Sequence, residues 1–274
     1  MSENSKRIIY ILVIIAIIAG IGFVGFTIYK KATFVKKNPI ATMEVEGYGT
    51  IKMELYPDKA PNTVTNCIRL ANRGFYNGLT FHRTIPKFVI QGGSKDGKGS
   101  SSASLIDILD KDTLNEDKEY NIKGEFIANG YNNNNIKHEK GIVSMARGDY
   151  SQYGSSLVKE GYNSASSQFF IMTGDNSQLD GLYAAFGKVI EVMDVAEKIS
   201  NVKVHYRSSD LKEGESAPKD KEGNEIASDT PKKKVVIKSL KVETFGVDYG
   251  VPETQDPFDL NSWFMQQYGM QSLE

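Results

Sequence analysis

Eight short runs of strand-like sequence, separated by turn residues, constrain the fold of this chain more than any other feature. The first two runs, 41–46 and 51–55, alternate apolar and polar residues around a Gly-rich turn, which is the pattern of a β-hairpin. The other six runs are 79–85, 88–91, 142–145, 168–172, 184–189 and 235–242. Many short strands with few helices between them favour a closed antiparallel β-barrel over a βαβ fold.

Only two segments of this region have the pattern of a helix. The first follows Pro61, which suits the first turn of a helix, and stops before Gly74. The second is 192–200. The sequence therefore predicts a mainly β domain of eight strands and two helices.

Composition divides the 274 residues into four parts. Two stretches within the barrel domain are rich in polar and charged residues and are interpreted as insertions, of which the second is expected to be a solvated loop. A short helix capped by Asp259 is expected in the tail, which also holds the only tryptophan, Trp263. The parts are 1–29 (N-terminal tail and apolar run), 30–39 (basic linker), 40–247 (barrel domain, with insertions at 95–123 and 208–234) and 248–274 (C-terminal tail).

The N-terminal part contains an uncharged run, residues 8–28, between Arg7 and Lys30. As a helix this run would be about 32 Å long, enough to cross a hydrocarbon core of about 30 Å. A cleaved signal peptide would have a shorter apolar region and a cleavage site of small residues. The run therefore predicts a single-pass anchor in a lipid bilayer. The basic residues of the linker favour a cytoplasmic barrel domain, whereas the short basic tail before the run is typical of export, and an extracytoplasmic domain is the interpretation adopted.

Charge and cysteine content exclude several functions. The formal net charge is -1, and the first 40 residues hold six basic residues and one acidic residue, so the rest of the chain is mildly acidic. Nucleic-acid binding requires a basic footprint and is not expected. The only cysteine, Cys67, excludes an intramolecular disulfide, and its place in a helical apolar pattern predicts a core residue.

Two further patterns do not reach a functional motif. Residues 92–98 fit most of a phosphate-binding P-loop, but Gly99 stands where the Mg²⁺-binding hydroxyl belongs. The histidines, His82, His138 and His205, lack the spacing of metal ligands. The sequence therefore predicts neither a metal nor a cofactor.

Three segments in this order resemble the cyclophilin family. They are 81–93 (FHRTIPKFVIQGG), 141–147 (GIVSMAR) and 167–171 (SQFFI), the last followed by 179–187 (LDGLYAAFG). The resemblance covers about 40–247 and suggests a bacterial, membrane-anchored member. It implies an eight-stranded barrel with a helix at each end, and a peptidyl-prolyl cis/trans isomerase that assists the folding of proline-containing polypeptides.

The resemblance also implies the roles of individual residues. The X-Pro bond resists rotation because amide resonance sets a barrier of about 18–20 kcal/mol. Arg83 would donate to the proline nitrogen as it becomes pyramidal, Gln91 would hold the guanidinium, and Phe88 would complete the catalytic set. No covalent intermediate is required. The implied substrate-binding residues are Val89, Ala146, Arg147, Gln168, Phe170, Leu179 and Tyr183; Ala146 and Arg147 would pair with the substrate backbone.

Three positions depart from the family's usual residues. Arg147 stands where Asn is common, Gln178 where Trp or Phe is common, and Tyr183 where many members have His. The loss of an aromatic residue at position 178 predicts weak cyclosporin binding. Two alternatives to an isomerase stay open: a module that binds proline-containing segments without turnover, and a chaperone that works through the insertions and the tail.

Overall fold

The eight predicted strands lie in the second of two units of the chain. The structure, a computed structural model, describes residues 3–33, 37–114, 116–212 and 215–268. The first unit ends at residue 37 and contains helix α1 (Glu3–Thr33). In the described ranges, no helix combines the length and the apolar character needed to cross a membrane. The structure therefore does not support the transmembrane anchor predicted for residues 8–28.

The second unit, from residue 38 onwards, contains a closed barrel of antiparallel strands, as the sequence predicted. Around the barrel the strands follow the order β1-β2-β7-β5-β6-β4-β3-β8. Their bounds are β1 (Ile40–Val45), β2 (Gly49–Leu55), β3 (Thr80–Ile85), β4 (Val89–Ser94), β5 (Ile142–Met145), β6 (Phe169–Met172), β7 (Ala185–Glu191) and β8 (Val235–Glu243).

Within the described residues of this unit, four α-helices accompany the barrel: α2 (Pro61–Asn72), α3 (Val158–Tyr162), α4 (Met193–Ser200) and α5 (Leu260–Tyr268). The two predicted helices are α2 and α4, and both bury one apolar face in the barrel core because their apolar residues recur at helical spacing. Cys67 lies on the buried face of α2, and burial raises the pKa of its thiol to about 12. Cys67 is therefore a protonated core residue, as predicted.

The segment 95–123 contributes to the core despite its polar composition. Ile108, Tyr120 and Ile122 are almost fully buried in the main core cluster. The Tyr120 hydroxyl donates a hydrogen bond of 2.6 Å to Asn66 of α2. This segment is therefore a packed part of the domain.

The segment 208–234 is solvated in its middle and anchored at its end. Residues 219 and 221–225 are exposed, as predicted for a solvated loop. Asp229, however, is buried, forms an ion pair of 2.8 Å with Arg207, and accepts a backbone hydrogen bond of 2.9 Å from Thr84 of β3. The solvated-loop prediction is wrong for this end, because Asp229 supplies β3 with a hydrogen-bond partner that a barrel strand lacks at that point.

The C-terminal tail is docked on the domain through backbone pairing. Gln255 and Asn121 form an isolated antiparallel bridge, and Glu253 exchanges hydrogen bonds with Asn62 at the start of α2. Helix α5 follows, and the Asp259 carboxylate accepts a hydrogen bond of 2.9 Å from the backbone of Ser262. The predicted capped helix in the tail is confirmed.

Candidate active site

Strand register brings the separated sequence motifs into one row. Arg83 of β3 pairs with Gln91 of β4, Gln91 pairs with Phe170 of β6, and Phe170 pairs with Ser144 of β5. Residues directly opposite each other on adjacent strands share a face of the sheet. The hairpin of β3 and β4 and the distant strands β5 and β6 therefore meet in one line across the barrel.

This row lies on the outer face of the barrel. Ile90, Phe169 and Ile171 belong to the main core cluster. Because successive side chains of a strand point to opposite faces, their neighbours Gln91 and Phe170 face outwards. The outward face of β4 and β6 is therefore where the motif residues are available to a ligand.

A chain of hydrogen bonds orients the amide of Gln91 towards Arg83. Gln168 Nε2 donates to the carbonyls of Gly99 and Ser101, at 3.0 and 3.4 Å, which leaves its Oε1 to accept from Gln91 Nε2 at 3.2 Å. Gln91 Oε1 then accepts from Arg83 Nη1 at 3.4 Å. A carbonyl can only accept, so the two backbone carbonyls determine the orientation of both side-chain amides.

Gly93 allows β4 to approach the segment that carries Gln168. Its φ is +91°, and a Cβ atom at this position would lie 2.4 Å from the Ser167 carbonyl oxygen. A larger residue would therefore have to push the two segments apart. This close approach brings Gln168 within hydrogen-bonding distance of Gln91.

The Arg83 guanidinium is oriented by its hydrogen bond to Gln91, and its positive charge is not balanced by an acidic side chain among the described residues. The residue is half-buried, and within the described residues no carboxylate forms an ion pair with it. Its guanidinium carbon lies 6.0 Å from the centre of the Phe88 ring. A fixed cation beside an apolar ring can stabilise a lone pair or partial negative charge on a bound ligand.

Six of the predicted site residues, five for substrate binding and the catalytic Phe88, belong to one apolar cluster on this outer face. Val89 and Phe170 are buried members, and the other four are partly buried and pack against them. The Tyr183 ring meets the edge of the Phe170 ring at a centroid distance of 5.5 Å. The six predicted residues in the cluster are Phe88, Val89, Ala146, Phe170, Leu179 and Tyr183.

His138, which was not predicted as a site residue, packs against this cluster. Its ring stacks on Phe170 at a centroid distance of 6.1 Å, and its Nε2 lies 2.8 Å from Ser144 Oγ. Burial lowers the pKa of His138, against an opposing effect of Asp180, so the ring is neutral at neutral pH. No sequence signal identified this role, because it depends on a contact between residues 138 and 170.

The Ala146 N–H and the Arg147 side chain both make contacts within the domain. The Ala146 N–H donates to the Gln168 carbonyl at 2.9 Å and is therefore not free to pair with a substrate. The Arg147 guanidinium lies 4.6 Å from the Tyr183 ring centre and 4.8 Å from that of Tyr162, and its Nε donates to the Leu182 carbonyl at 3.0 Å. The side chain of Arg147 thus fixes the Tyr183 wall of the cluster.

The P-loop-like segment, residues 92–98, folds around the carboxylate of its own Asp96. Asp96 accepts hydrogen bonds from the backbone of Lys98 and Gly99 at 2.8 and 3.1 Å, and from the hydroxyls of Ser94 and Ser100. Burial opposes the ionisation of Asp96, but these hydrogen bonds outweigh it and lower its pKa. The N–H groups that would cradle a phosphate are therefore occupied, in agreement with the rejection of a nucleotide site.

Comparison with known proteins agrees with this geometry. The sequence profile of the family "Cyclophilin type peptidyl-prolyl cis-trans isomerase/CLD" matches residues 40–242. Peptidyl-prolyl cis-trans isomerase B of Bacillus subtilis is 37% identical over 157 residues, which are 57% of this chain and 87% of the relative. An Acinetobacter baylyi peptidyl-prolyl cis-trans isomerase is 35% identical over 56% of this chain and 68% of its own length.

Longer relatives and a solved structure also match. This chain spans only 27% of a peptidyl-prolyl cis-trans isomerase-like 2 protein of Rhizopus delemar, at 34% identity. A Cryptosporidium parvum cyclophilin-type isomerase, crystallised in the presence of the dipeptide Ala-Pro, superposes with a TM-score of 0.51 at 26% identity. It covers 74% of this chain and 98% of the solved one.

The barrel and the held arginine beside an apolar cluster define a protein of the prolyl-isomerase class. The chain belongs to the cyclophilin family and is a peptidyl-prolyl cis-trans isomerase.

Proposed function

We propose that the isomerase works by Arg83-assisted weakening of the resonance of an Xaa-Pro amide, with the proline ring held on the apolar cluster. When the amide twists, the proline nitrogen becomes pyramidal and gains a lone pair. A guanidinium directed at that lone pair stabilises the transition state more than the ground state. The single observation that carries the proposal is the hydrogen-bonded chain from the Gly99 carbonyl through Gln168 and Gln91 to Arg83.

The contribution of Arg83 can be bounded from the chemistry of its hydrogen bond. A hydrogen bond to a charged group contributes about 1.5–3 kcal/mol, which corresponds to a factor of roughly 10 to 150 in rate. The remainder of the acceleration would come from burying the proline ring against Phe88, Phe170 and Leu179, which removes water from the amide. Proline-containing polypeptides that fold slowly are the proposed substrates, because uncatalysed isomerisation takes tens of seconds or longer.

The test is the rate of isomerisation of an Ala-Pro peptide by the full chain and by two variants. Arg83→Ala should lower kcat/KM about tenfold or more. Arg73→Ala is the matched control, because Arg73, which directly follows α2, pairs with Asp110 of the segment 95–123 and is not part of the row of Arg83, Gln91 and Phe170; it should leave the rate unchanged. Equal rates for wild type and Arg83→Ala would remove Arg83 from the mechanism. A wild type that binds the peptide without turnover would support the alternative of a proline-binding module.

The location of the isomerase domain is a further proposal, which rests on the sequence of residues 8–28. That run holds no charged residue and precedes a basic linker. We propose that it contacts a lipid bilayer and holds the domain outside the cytoplasm. Protease added to intact cells should then release a fragment that begins near residues 30–39. Protection of the domain in intact cells, with digestion only after lysis, would contradict the proposal.

A further inference from the structure

A cavity of about 940 Å³ lies against the loop 94–100, whose Gly99 carbonyl accepts a hydrogen bond from Gln168. One wall is formed by residues 78–82 and by this loop. The other wall is formed by residues of the segment 218–234. A cavity of this size is large enough for several residues of an extended peptide.

Among the described residues, the cavity lining holds six lysines against three carboxylates, Asp96, Asp220 and Glu225, the last of which stands opposite Lys219 in an isolated antiparallel bridge. Lys95 pairs with Asp107 at 2.7 Å, outside the lining, and Lys98 lies 3.8 Å from Asp220. Asp96 is held by its own loop. The other four lysines of the lining have no carboxylate partner within the described residues, and they are Lys219, Lys221, Lys232 and Lys234.

The barrel-side wall contains a buried polar group without a partner. His82 is only 6% exposed, lines the cavity, and its Nδ1 makes no hydrogen bond within the described residues. Burial lowers the pKa of His82 to about 4, so the ring is neutral at neutral pH and can serve as donor or acceptor. Buried polar atoms are rarely left unpaired, and a ligand in the cavity could supply the missing hydrogen bond.

The cavity and the isomerase site share a wall. A Cβ atom on Gly99 would lie 3.1 Å from His82 Nε2 and 3.9 Å from Gln168 Oε1, and the Gly99 carbonyl accepts the hydrogen bond of 3.0 Å from Gln168. One loop therefore contacts both the cavity, through Lys98 and Ser100, and the Arg83 network, through Gly99. A client polypeptide carries further residues on either side of its Xaa-Pro dipeptide. When the proline is bound at the isomerase site, the loop 94–100 lies between these flanking residues and the cavity.

We propose that the cavity binds an acidic segment of the same polypeptide whose proline occupies the isomerase site. The positive charge of the lining favours a negatively charged ligand. Because the cavity and the isomerase site share the loop 94–100, the residues that flank the bound proline are the client residues nearest to the cavity. The proposal rests on the proposed function and adds a substrate preference to it: prolines flanked by Asp or Glu. A polypeptide held at both places is also retained longer than one held by its proline alone.

The test uses two fluorescein-labelled peptides that share one Ala-Pro bond, flanked by glutamates in one and by glutamines in the other. At low salt the full chain should bind the glutamate peptide about tenfold more tightly, as measured by fluorescence anisotropy. The double variant Lys219→Glu/Lys221→Glu should abolish this preference. Ala227→Trp, which fills the cavity from an exposed position without a change of charge, should also abolish it.

The matched control is Lys111→Glu/Lys188→Glu, which reverses the charge of two exposed lysines outside the cavity. It should keep the preference. Equal affinity of wild type for both peptides, or a preference that survives Ala227→Trp, would overturn the proposal. So would loss of the preference in the control. Binding of inorganic phosphate without a preference between the peptides would assign the cavity to a free anion and overturn the proposal as well.

Isomerisation of a neutral tetrapeptide separates this proposal from the proposed function. Its kcat/KM should be the same in wild type, Lys219→Glu/Lys221→Glu and Ala227→Trp. An Arg83→Ala variant with full activity on this tetrapeptide would refute the mechanism while leaving the glutamate preference as it stands. A wild type that isomerises the tetrapeptide but shows no glutamate preference would refute only the role of the cavity.

Discussion

Buried His82 should make the folded protein sensitive to mild acid. Its pKa is about 4 in the folded protein, against an ordinary value of 6.5, because burial disfavours the charged ring. Between these values the unfolded chain binds a proton that the folded chain does not, so the free energy of unfolding falls as the pH falls from 6.5 towards 4. At about 1.36 kcal/mol per pKa unit the loss is about 3 kcal/mol.

The assay is urea unfolding, followed by far-UV circular dichroism, at neutral pH and at about pH 4. His82→Gln should remove about 3 kcal/mol of the difference between the two conditions, since glutamine does not titrate. The substitution breaks no hydrogen bond at Nδ1, because that atom has no partner among the residues that the structure describes. The pKa of His138 is also lowered by burial, so part of the acid sensitivity should persist in the variant.

His205→Gln is the control, because it makes the same substitution at an exposed histidine. The refuting result is a His82→Gln variant whose unfolding free energy drops with acid by as much as that of wild type. Such a result would mean that His82 takes up its proton as readily in the folded chain as in the unfolded one.

Three further predictions concern the cluster wall, the long insertion and the pocket rim. Arg147→Ala should raise KM several-fold and cost about 1–2 kcal/mol of stability, because Tyr183 loses its stacked cation; an unchanged KM in the isomerisation assay would count against this. Replacing residues 215–227 with a short Gly/Ser turn should change the unfolding free energy by less than about 1 kcal/mol, whereas a deletion that includes Asp229 should cost about 2 kcal/mol or more; equal effects in urea unfolding would contradict the assigned anchor. Gln178→Trp should tighten cyclosporin binding about thirtyfold by adding an aromatic contact, with little change in isomerisation; a fluorescence titration in which wild type binds as tightly would show that the rim position is misaligned.

The strands could be predicted because β1 and β2 alternate apolar and polar residues and most of the others are short apolar runs bounded by turn residues. The core role of 95–123 could not, because Tyr120 and Ile122 stand among charged neighbours and no periodicity marks them as buried. The solvated-loop prediction for 208–234 failed at its end, where Asp229 and Pro231 are buried, and the burial of Asp229 depends on Arg207 and on the edge of β3. Such partners are set by the closed fold and leave no local pattern.

The site residues were found through motifs, but their arrangement required the strand register. The pairing of Arg83 with Gln91 follows from the hairpin of β3 and β4, whereas the pairing of Gln91 with Phe170 joins distant segments. The part played by Gly99 depends on how its loop folds around Asp96. A sequence motif names the side chains, and only the fold assigns their hydrogen-bond partners.

The most direct test of the mechanism measures binding and turnover of one Ala-Pro peptide separately, by NMR exchange spectroscopy, in wild type and Arg83→Ala. If Arg83 acts on the pyramidal nitrogen, the variant should bind the peptide with nearly the wild-type Kd, because the apolar cluster is intact. Its cis/trans exchange rate on the enzyme should fall about tenfold or more. A variant whose Kd rises tenfold while the exchange rate of bound peptide is unchanged would show that Arg83 only binds the substrate, and would contradict the proposed mechanism.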